Sequence, residues 1–138
     1  MVIIDTSVVY KWFAEQEKDH RLSKKLLERY LLGEQEITIP DLLLYELTNA
    51  WSTKTGLDSS QINKNLTKFA SYAVPIVTVN FSLLEHASHF SKTYTVSVYD
   101  AVFVVLAQNY ECELVTADEK FVKQINLPFV KLLRNYTK

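Results

Sequence analysis

The sequence contains very little glycine. Among its 138 residues there are two, Gly33 and Gly56, and they lie far apart. A phosphate-binding P-loop, the G-x-G-x-x-G dinucleotide fingerprint and the G-x-S-x-G nucleophile elbow each require closely spaced glycines. The sequence therefore excludes all three motifs and the enzyme classes built on them.

Cysteine and long apolar runs are also scarce. Cys112 is the only cysteine, so the chain can form neither an intramolecular disulfide nor a C-x-x-C site. The longest unbroken apolar run covers the seven residues 101–107, whereas spanning a bilayer takes about 20. Because no signal pattern is found at the N-terminus either, we expect a cytoplasmic protein without a membrane partner.

The charges of the chain nearly cancel. Fifteen Lys and Arg residues oppose sixteen Asp and Glu residues, for a net charge of −1, so no gross basicity indicates nucleic acid or an anionic membrane. Apolar residues make up 48% and charged residues 22%, which is typical of a soluble globular domain. The length is close to the commonest domain size, so we expect a single domain over residues 1–138.

Apolar patterns predict strands that alternate with helices. Strands are predicted at 2–4, 36–39, 76–79, 114–115 and 129–132, and helices at 8–14, 19–33, 41–54, 58–72, 81–91, 97–110 and 118–125, with a polar tail from Arg134. In the helix at 81–91, Leu84, Ala87 and Phe90 form the predicted buried stripe. Such alternation predicts an α/β fold: a three-layer sandwich with a central parallel five-stranded sheet flanked by helices.

Four acidic residues stand out because each is placed next to predicted core. Asp5 ends the first strand, Glu46 interrupts an apolar helix, Asp100 precedes the longest apolar run, and Asp118 follows the fourth strand. In a parallel sheet the carboxyl ends of the strands share one edge, where ligands bind at the reversal of strand order. If the first and fourth strands are neighbours, these four carboxylates are expected to converge there.

Several carboxylates packed together cannot all be ionised without a cation, since like charges raise one another's pKa values. Oxygen ligands favour Mg²⁺ or Mn²⁺, one or two ions, and the sequence offers no plausible zinc set. His86 and His89 are three positions apart but have no third soft ligand nearby, so we expect them to be exposed. His20 is expected to lie on a polar face without a role.

Each acid also has a purely structural explanation. Asp5 is suited to cap the first helix, Asp100 and Asp118 are suited to helix N-termini through the helix dipole, and Glu46 is suited to pair with a buried Lys or Arg. All four explanations would have to hold independently at one edge of one sheet. The metal site is therefore the favoured interpretation.

These residues resemble a known family. The segments 2–8, 45–47, 97–101 and 116–118 (V-I-I-D-T-S-V, Y-E-L, S-V-Y-D-A and T-A-D) are similar, in order, to the four motifs of the PIN domain, in particular the VapC-type toxin ribonucleases of prokaryotic toxin-antitoxin pairs. The resemblance covers the whole chain. It implies a PIN-like fold and a metal-dependent endoribonuclease that hydrolyses RNA, leaving a 5′-phosphate and a 3′-hydroxyl.

Transferred residue by residue, the resemblance implies that the acids bind metal. Asp5 and Asp100 would be the principal ligands, Asp118 a ligand acting directly or through water, and Glu46 a ligand or a base that orients water. Thr6, Ser7 and Thr116 would be supporting hydroxyls, although Ser7 and Thr116 are equally suited to be plain helix caps. The family further implies a cognate antitoxin protein as partner, and homodimers are common in it.

Substrate contacts are predicted from charge and aromaticity. Lys11, Lys54 and Trp51 are candidates for binding RNA, but Trp51, like Trp12 with Phe13, also suits the core or an interface with a second copy or an antitoxin.

The sequence departs from the family at one position. Many members carry a further acid two positions after the residue that matches Asp118, where this chain has Lys120, so a second metal site is less secure than the first. Two alternatives stay open: a catalytically silent PIN-like module that binds RNA or protein, and another α/β metal protein, such as a haloacid-dehalogenase-like phosphatase or a receiver domain. The phosphatase and the receiver domain each require a further acid close to the one that matches Asp5, and this chain has none there.

Overall fold

The computed structural model describes residues 1–136, which form a sheet of five strands with parallel pairing throughout. The strands are β1 (Val2–Ile4), β2 (Ile37–Pro40), β3 (Ile76–Val77), β4 (Glu113–Thr116) and β5 (Val130–Leu132). Their order across the sheet is β3-β2-β1-β4-β5. The predicted α/β architecture with a central five-stranded parallel sheet is confirmed.

Eight helices are found in the described part of the chain. They are α1 (Thr6–Trp12), α2 (His20–Leu31), α3 (Leu42–Thr53), α4 (Ser59–Ser71), α5 (Phe81–Tyr94), α6 (Val98–Asn109), α7 (Glu119–Ile125) and α8 (Leu133–Tyr136). The chain moves from β1 to β3 in one direction across the sheet and from β4 to β5 in the other. Right-handed crossovers therefore place α1 to α4 on one face and α5 to α7 on the opposite face.

The reversal of strand order lies between β1 and β4. Ile3 of β1 pairs with Thr38 of β2 on one side and with Leu114 of β4 on the other. The two strands are thus neighbours, as the sequence suggested, and their carboxyl ends form the crevice at which parallel sheets bind ligands. The Asp5 amide donates to the carbonyl of Val115 at 3.2 Å, which fixes Asp5 at the mouth of this crevice.

Helix α6 is the central element of one helical layer. Ser97 accepts the Asp100 amide at 3.0 Å and caps the helix, as predicted. All seven residues from Ala101 to Ala107 are buried, at 0 to 3% exposure. The all-round apolar character of this segment correctly predicted a helix enclosed by protein.

Several predicted details are wrong. In α5 the buried stripe runs through Leu83, Ala87 and Phe90, while Leu84 is 40% exposed. The same helix continues three residues beyond 91, to Tyr94. Because Thr95, which ends it, adopts a left-handed conformation without being glycine, no residue type marks that end.

The predicted polar tail begins with a helical turn instead. Leu133 is fully buried, and the Tyr136 hydroxyl donates to Gln35 Oε1 at 2.9 Å, which together hold α8 against the body of the protein. Residues 137–138 of the predicted tail lie outside the described residues. No helix in the part described is long and apolar enough to span a bilayer.

Candidate active site

Asp5 lies at the point where β1 passes into α1. It is the N-cap of α1 and accepts the Ser7 amide at 3.1 Å and the Ser7 hydroxyl at 2.5 Å, both on Oδ1. Burial by the surrounding protein raises the pKa of Asp5 to about 6, although hydrogen bonds from Ser7 and Thr116 oppose the rise. The negative charge of Asp100 raises the pKa further. Asp5 therefore combines the capping role with a raised pKa, which a bound cation would lower.

Ser7 and Thr116 join the end of β1 to the turn after β4. The Ser7 hydroxyl accepts the Ala117 amide at 2.9 Å, and the Thr116 hydroxyl accepts the Asp118 amide at 3.1 Å. The two hydroxyl oxygens lie 3.4 Å apart. Neither residue caps a helix, since Asp5 and Asp118 occupy those positions. The alternative explanation of Ser7 and Thr116 as plain caps is therefore wrong.

Glu46 projects from the middle of α3 and is partly buried. The Thr6 hydroxyl donates to Glu46 Oε1 at 2.7 Å, which ties α3 to the first turn of α1. Burial raises the pKa of Glu46; the Thr6 hydrogen bond and the positive charge of Lys54 oppose this, whereas Asp100 adds to it. No ion pair with a Lys or Arg within residues 1–136 accounts for Glu46, so that structural explanation is not supported.

Asp100 and Asp118 are exposed at the same edge of the sheet, contrary to the expectation that all four acids press against the core. Asp100 occupies the first turn of α6, one residue before the buried stretch begins, and so stays at the rim. Asp118 is the N-cap of α7 and accepts the Phe121 amide at 3.0 Å. Desolvation raises the pKa of Asp100 and the charge of Asp118 raises it further, while the Ser97 hydrogen bond opposes them.

Asp100 is the electrostatic centre of the four acids. Its charge raises the pKa values of Asp5 and Glu46, and its own pKa is raised by Asp118. The expected convergence into one compact cluster is not seen: in the described range, no three Asp, Glu, His or Cys side chains are close enough to form a metal-binding group. The carboxylates share one edge and repel one another there without forming a closed cage.

The residues present nevertheless fit a hard divalent cation. Mg²⁺ takes oxygen ligands, usually keeps several waters, and binds through one or two carboxylates together with substrate phosphates, not through an all-protein cage. Asp5 and Asp100 supply such a pair, with Asp118 and Glu46 within electrostatic reach of Asp100. The four carboxylates repel one another, which contributes to the raised pKa values, and a bound cation would remove this repulsion.

A cleft of about 480 Å³ opens beside these acids. Its walls include both lysines that were predicted to contact substrate, together with hydroxyls of α1 and one of the acids: Thr6, Ser7, Tyr10, Lys11, Lys54 and Asp118. Tyr10 was not singled out from the sequence. Its position four residues after Thr6, on the same helical face, is the signal that would have found it.

Trp51, the third predicted substrate contact, is not available to a ligand. It is 2% exposed and packs edge-on against Phe13, with 5.2 Å between the ring centroids. Leu43, Leu47 and Trp51 follow one another at intervals of four, so they share the buried face of α3. The prediction that Trp51 binds RNA is wrong, and its assignment to the core is confirmed.

The remaining candidates lie apart from the acids. His86 and His89 are exposed, as expected, and line a different cavity between α5 and α6. The ring of His20 is not free on a polar face, because its Nδ1 donates to the Lys11 carbonyl at 2.5 Å. Lys120 is exposed in the first turn of α7.

Comparison with known proteins identifies the family and agrees with the fold. The family model described as PIN domain matches residues 2–125. No curated protein matches the sequence. The fold is similar to a toxin-antitoxin complex from Klebsiella pneumoniae (TM-score 0.72, 19% identity, covering 96% of this chain and 98% of that one). It is also similar to Mycobacterium tuberculosis VapC20, a toxin that cleaves the sarcin-ricin loop (TM-score 0.72, 14% identity, covering 94% of this chain and 97% of that one). A third similar structure is VapBC2 from Rickettsia felis, bound to a DNA fragment from the VapBC2 promoter (TM-score 0.69, 18% identity, covering 96% of this chain and 97% of that one).

Proposed function

The chain belongs to the PIN-domain family, and from that membership we propose that it is a metal-dependent endoribonuclease, the toxin of a VapBC-type toxin-antitoxin pair. The observation that carries the proposal is the placement of Asp5, Glu46, Asp100 and Asp118 along one edge of the sheet, with Asp100 coupled electrostatically to the other three. We expect such an array to attract a divalent cation and, through it, a phosphodiester.

The proposed mechanism assigns a separate task to each side chain. Asp5 and Asp100 would hold Mg²⁺ or Mn²⁺, and Asp118 would contribute directly or through water. When bound, the ion supplies a water of lowered pKa and neutralises charge on the phosphoryl oxygens. Glu46, oriented by the Thr6 hydroxyl, accepts a proton from the attacking water or positions that water. Ser7 keeps the Asp5 carboxylate aimed into the crevice.

The decisive experiment compares Asp5→Asn and Asp100→Asn with the wild type on a pool of structured RNAs, with Mg²⁺, with Mn²⁺ and with EDTA. We expect cleavage that leaves 5′-phosphate and 3′-hydroxyl ends in the wild type and no cleavage in either variant. Glu85→Gln, which removes an exposed acid from α5, is the matched control and keeps full activity. Retained cleavage by either Asn variant contradicts the assignment.

Thermal melting separates the nuclease from a silent binding module. A metal site predicts a higher melting temperature with Mn²⁺, because an ion that binds the folded state stabilises it. The shift is expected to disappear in Asp5→Asn. Absence of both the shift and RNA cleavage in the wild type would favour a module that only binds RNA or protein.

We also propose that the chain forms a homodimer. The support is a groove of about 230 Å³ beside Glu46 and Asp100, walled by Tyr45, Leu84, Val98 and Tyr99, of which Tyr45 is 73% and Tyr99 61% exposed. Exposed aromatic patches of this kind are typical of protein interfaces. Light scattering should give a dimer mass, and Tyr99→Lys should give a monomer; a monomeric wild type contradicts the proposal.

This chain has a second apolar groove, which is the proposed binding surface for an antitoxin. Leu44, Leu66, Phe69, Val74 and Ile76 line a groove of about 420 Å³ at the edge of the sheet formed by β3. An amphipathic helix placed in such a groove is a common mode of recognition. A cognate antitoxin should inhibit RNA cleavage, and Ile76→Glu should weaken that inhibition without lowering cleavage itself.

A further inference from the structure

The cleft beside the acids is lined in part by side chains that metal binding does not require. Glu46 and Ala50 of α3 and Lys54, the C-cap that follows the helix, are spaced at intervals of four and so lie on one side of it. At 1.5 Å per residue, Lys54 lies about 12 Å along the helix from Glu46. The small side chain of Ala50 separates them and leaves the cleft open. Ala50 and Lys54 line the cleft, and Glu46 lies one turn before Ala50 on the same side of α3.

The opposite wall repeats this arrangement on α1. Thr6 and Ser7 stand beside the acids, and Tyr10 and Lys11 follow them by four positions on the same face. The cleft is therefore lined by hydroxyls and a carboxylate together with two lysines and an aromatic ring.

Neither lysine forms an ion pair with a carboxylate of the described residues, although the positive charge of Lys54 acts on Glu46. The ion pairs of the described residues involve Lys123, Lys131 and Arg134, and none includes Lys11 or Lys54. Glu17 also lines the cleft, as a carboxylate acceptor. Unpaired cations that face a common cavity favour an anion, and the one anion that the metal site already requires is a phosphodiester.

Resting on the proposed function, we propose that this cleft binds one nucleotide of a single-stranded RNA segment next to the scissile bond, with Lys11 and Lys54 on its phosphate and Tyr10 stacked on its base. The cleft volume of about 480 Å³ is in the range of small-ligand pockets. The base must be unpaired, because only a base turned out of a helix exposes its face to an aromatic ring. Glu17 is placed to accept a hydrogen bond from an amino group of that base.

Binding without cleavage tests the subsite. The probe is a short fluorescent single-stranded RNA, titrated with metal-free protein in EDTA at several salt concentrations. Each neutralised phosphate adds about 0.7 to the salt slope for a single strand, so Lys11→Gln and Lys54→Gln should each lower the slope, and together by about that amount. Tyr10→Leu should weaken binding about tenfold, and Tyr10→Phe should restore it, since the ring alone stacks. Lys92→Gln, an exposed lysine of α5, is the charge-matched control and leaves slope and affinity unchanged.

The outcomes distinguish the subsite from the proposed function. If the wild type cleaves RNA while Lys11→Gln, Lys54→Gln and Tyr10→Leu bind like Lys92→Gln, the subsite is overturned and the nuclease stands. If the wild type binds RNA through these residues but cleaves none, the subsite stands and the nuclease falls. No binding of single-stranded RNA by the folded wild type overturns the subsite outright. Tryptophan fluorescence verifies folding of each variant, because Trp12 and Trp51 are both buried.

Discussion

Ser7 donates a 2.5 Å hydrogen bond from its hydroxyl to the carboxylate of Asp5, two residues before it. The same hydroxyl accepts the Ala117 amide, so one oxygen links the end of β1 to the turn that follows β4. Asp5, the most deeply buried of the four acids, is thus oriented by Ser7, whose hydroxyl also connects the end of β1 to the turn after β4.

Ser7→Ala should lower both stability and cleavage. The Ala117 amide, a partly buried donor, loses its acceptor, which costs about 1 kcal/mol, the lower end of the range for a buried group. Asp5 loses a donor that favours its ionised form, so its pKa rises and its affinity for a cation falls. Urea denaturation and a Mn²⁺ titration measure the two effects. Ser71→Ala, which removes an exposed hydroxyl bonded to the Lys68 carbonyl, should alter neither; equal behaviour of the two variants would contradict the role of Ser7.

The metal-free protein should lose stability as the pH rises. The pKa of Asp5 is about 6 in the folded state and close to 3.9 when unfolded, so between these values the folded state holds a proton that the unfolded chain has released. The free energy of unfolding therefore falls from about pH 4 to above pH 6, by roughly 2 to 3 kcal/mol for this group. Glu46 and Asp100, whose pKa values are also raised, act with the same sign.

Urea denaturation in EDTA between pH 4.5 and pH 8 measures this dependence. Asp5→Asn should flatten most of it, because the amide has no proton to release. Saturating Mg²⁺ or Mn²⁺ should reverse the trend above pH 6, since the cation stabilises the ionised carboxylates. Stability that rises with pH in the metal-free protein would show that the Asp5 carboxyl does not have a raised pKa.

The sequence predicted the position of the acids better than their surroundings. Asp5 and Asp118 could be assigned to one edge because strand ends in a parallel sheet share it, and that rule depends only on topology. Exposure could not be inferred in the same way. Asp100 lies beside Ala101, which is fully buried, yet one step around the first turn of a helix is enough to leave a side chain at the rim.

Helix faces were ambiguous where two apolar stripes compete. In α5, Leu83 and Leu84 lie four and three residues before Ala87, but only Leu83 is also seven residues before Phe90, and it is the buried one. Trp51 was ambiguous for another reason: an aromatic ring near a helix end suits both a core and a ligand surface. Its spacing of four from Leu47 was the available evidence for the core.

Asp100→Asn should make the metal-free protein less sensitive to pH. Removing this charge lowers the pKa values of Asp5 and Glu46, because it raises both in the wild type. The loss of an acid from the first turn of α6 costs about 0.3–1 kcal/mol through the helix dipole, so the diagnostic quantity is the pH slope of stability and not its absolute value. Urea denaturation of Asp100→Asn in EDTA should give a shallower slope than Glu85→Gln. Identical slopes would mean that Asp100 does not interact with the other acids.

Substitutions of Lys120 test how many metal ions bind at the edge of the sheet that carries the four acids. It is exposed in the first turn of α7, two residues after Asp118, where many members of the family carry an acid. Lys120→Asp adds a carboxylate at a helix N-terminus, where negative charge is favoured, and also removes a cation that repels a metal ion. We expect calorimetric titration with Mn²⁺ to show tighter binding and an additional ion per chain. Lys120→Gln removes the cation without adding a ligand and should tighten binding of the first ion alone. If both variants bind the same number of ions as the wild type, position 120 lies outside the metal site and its departure from the family pattern has no consequence for metal binding.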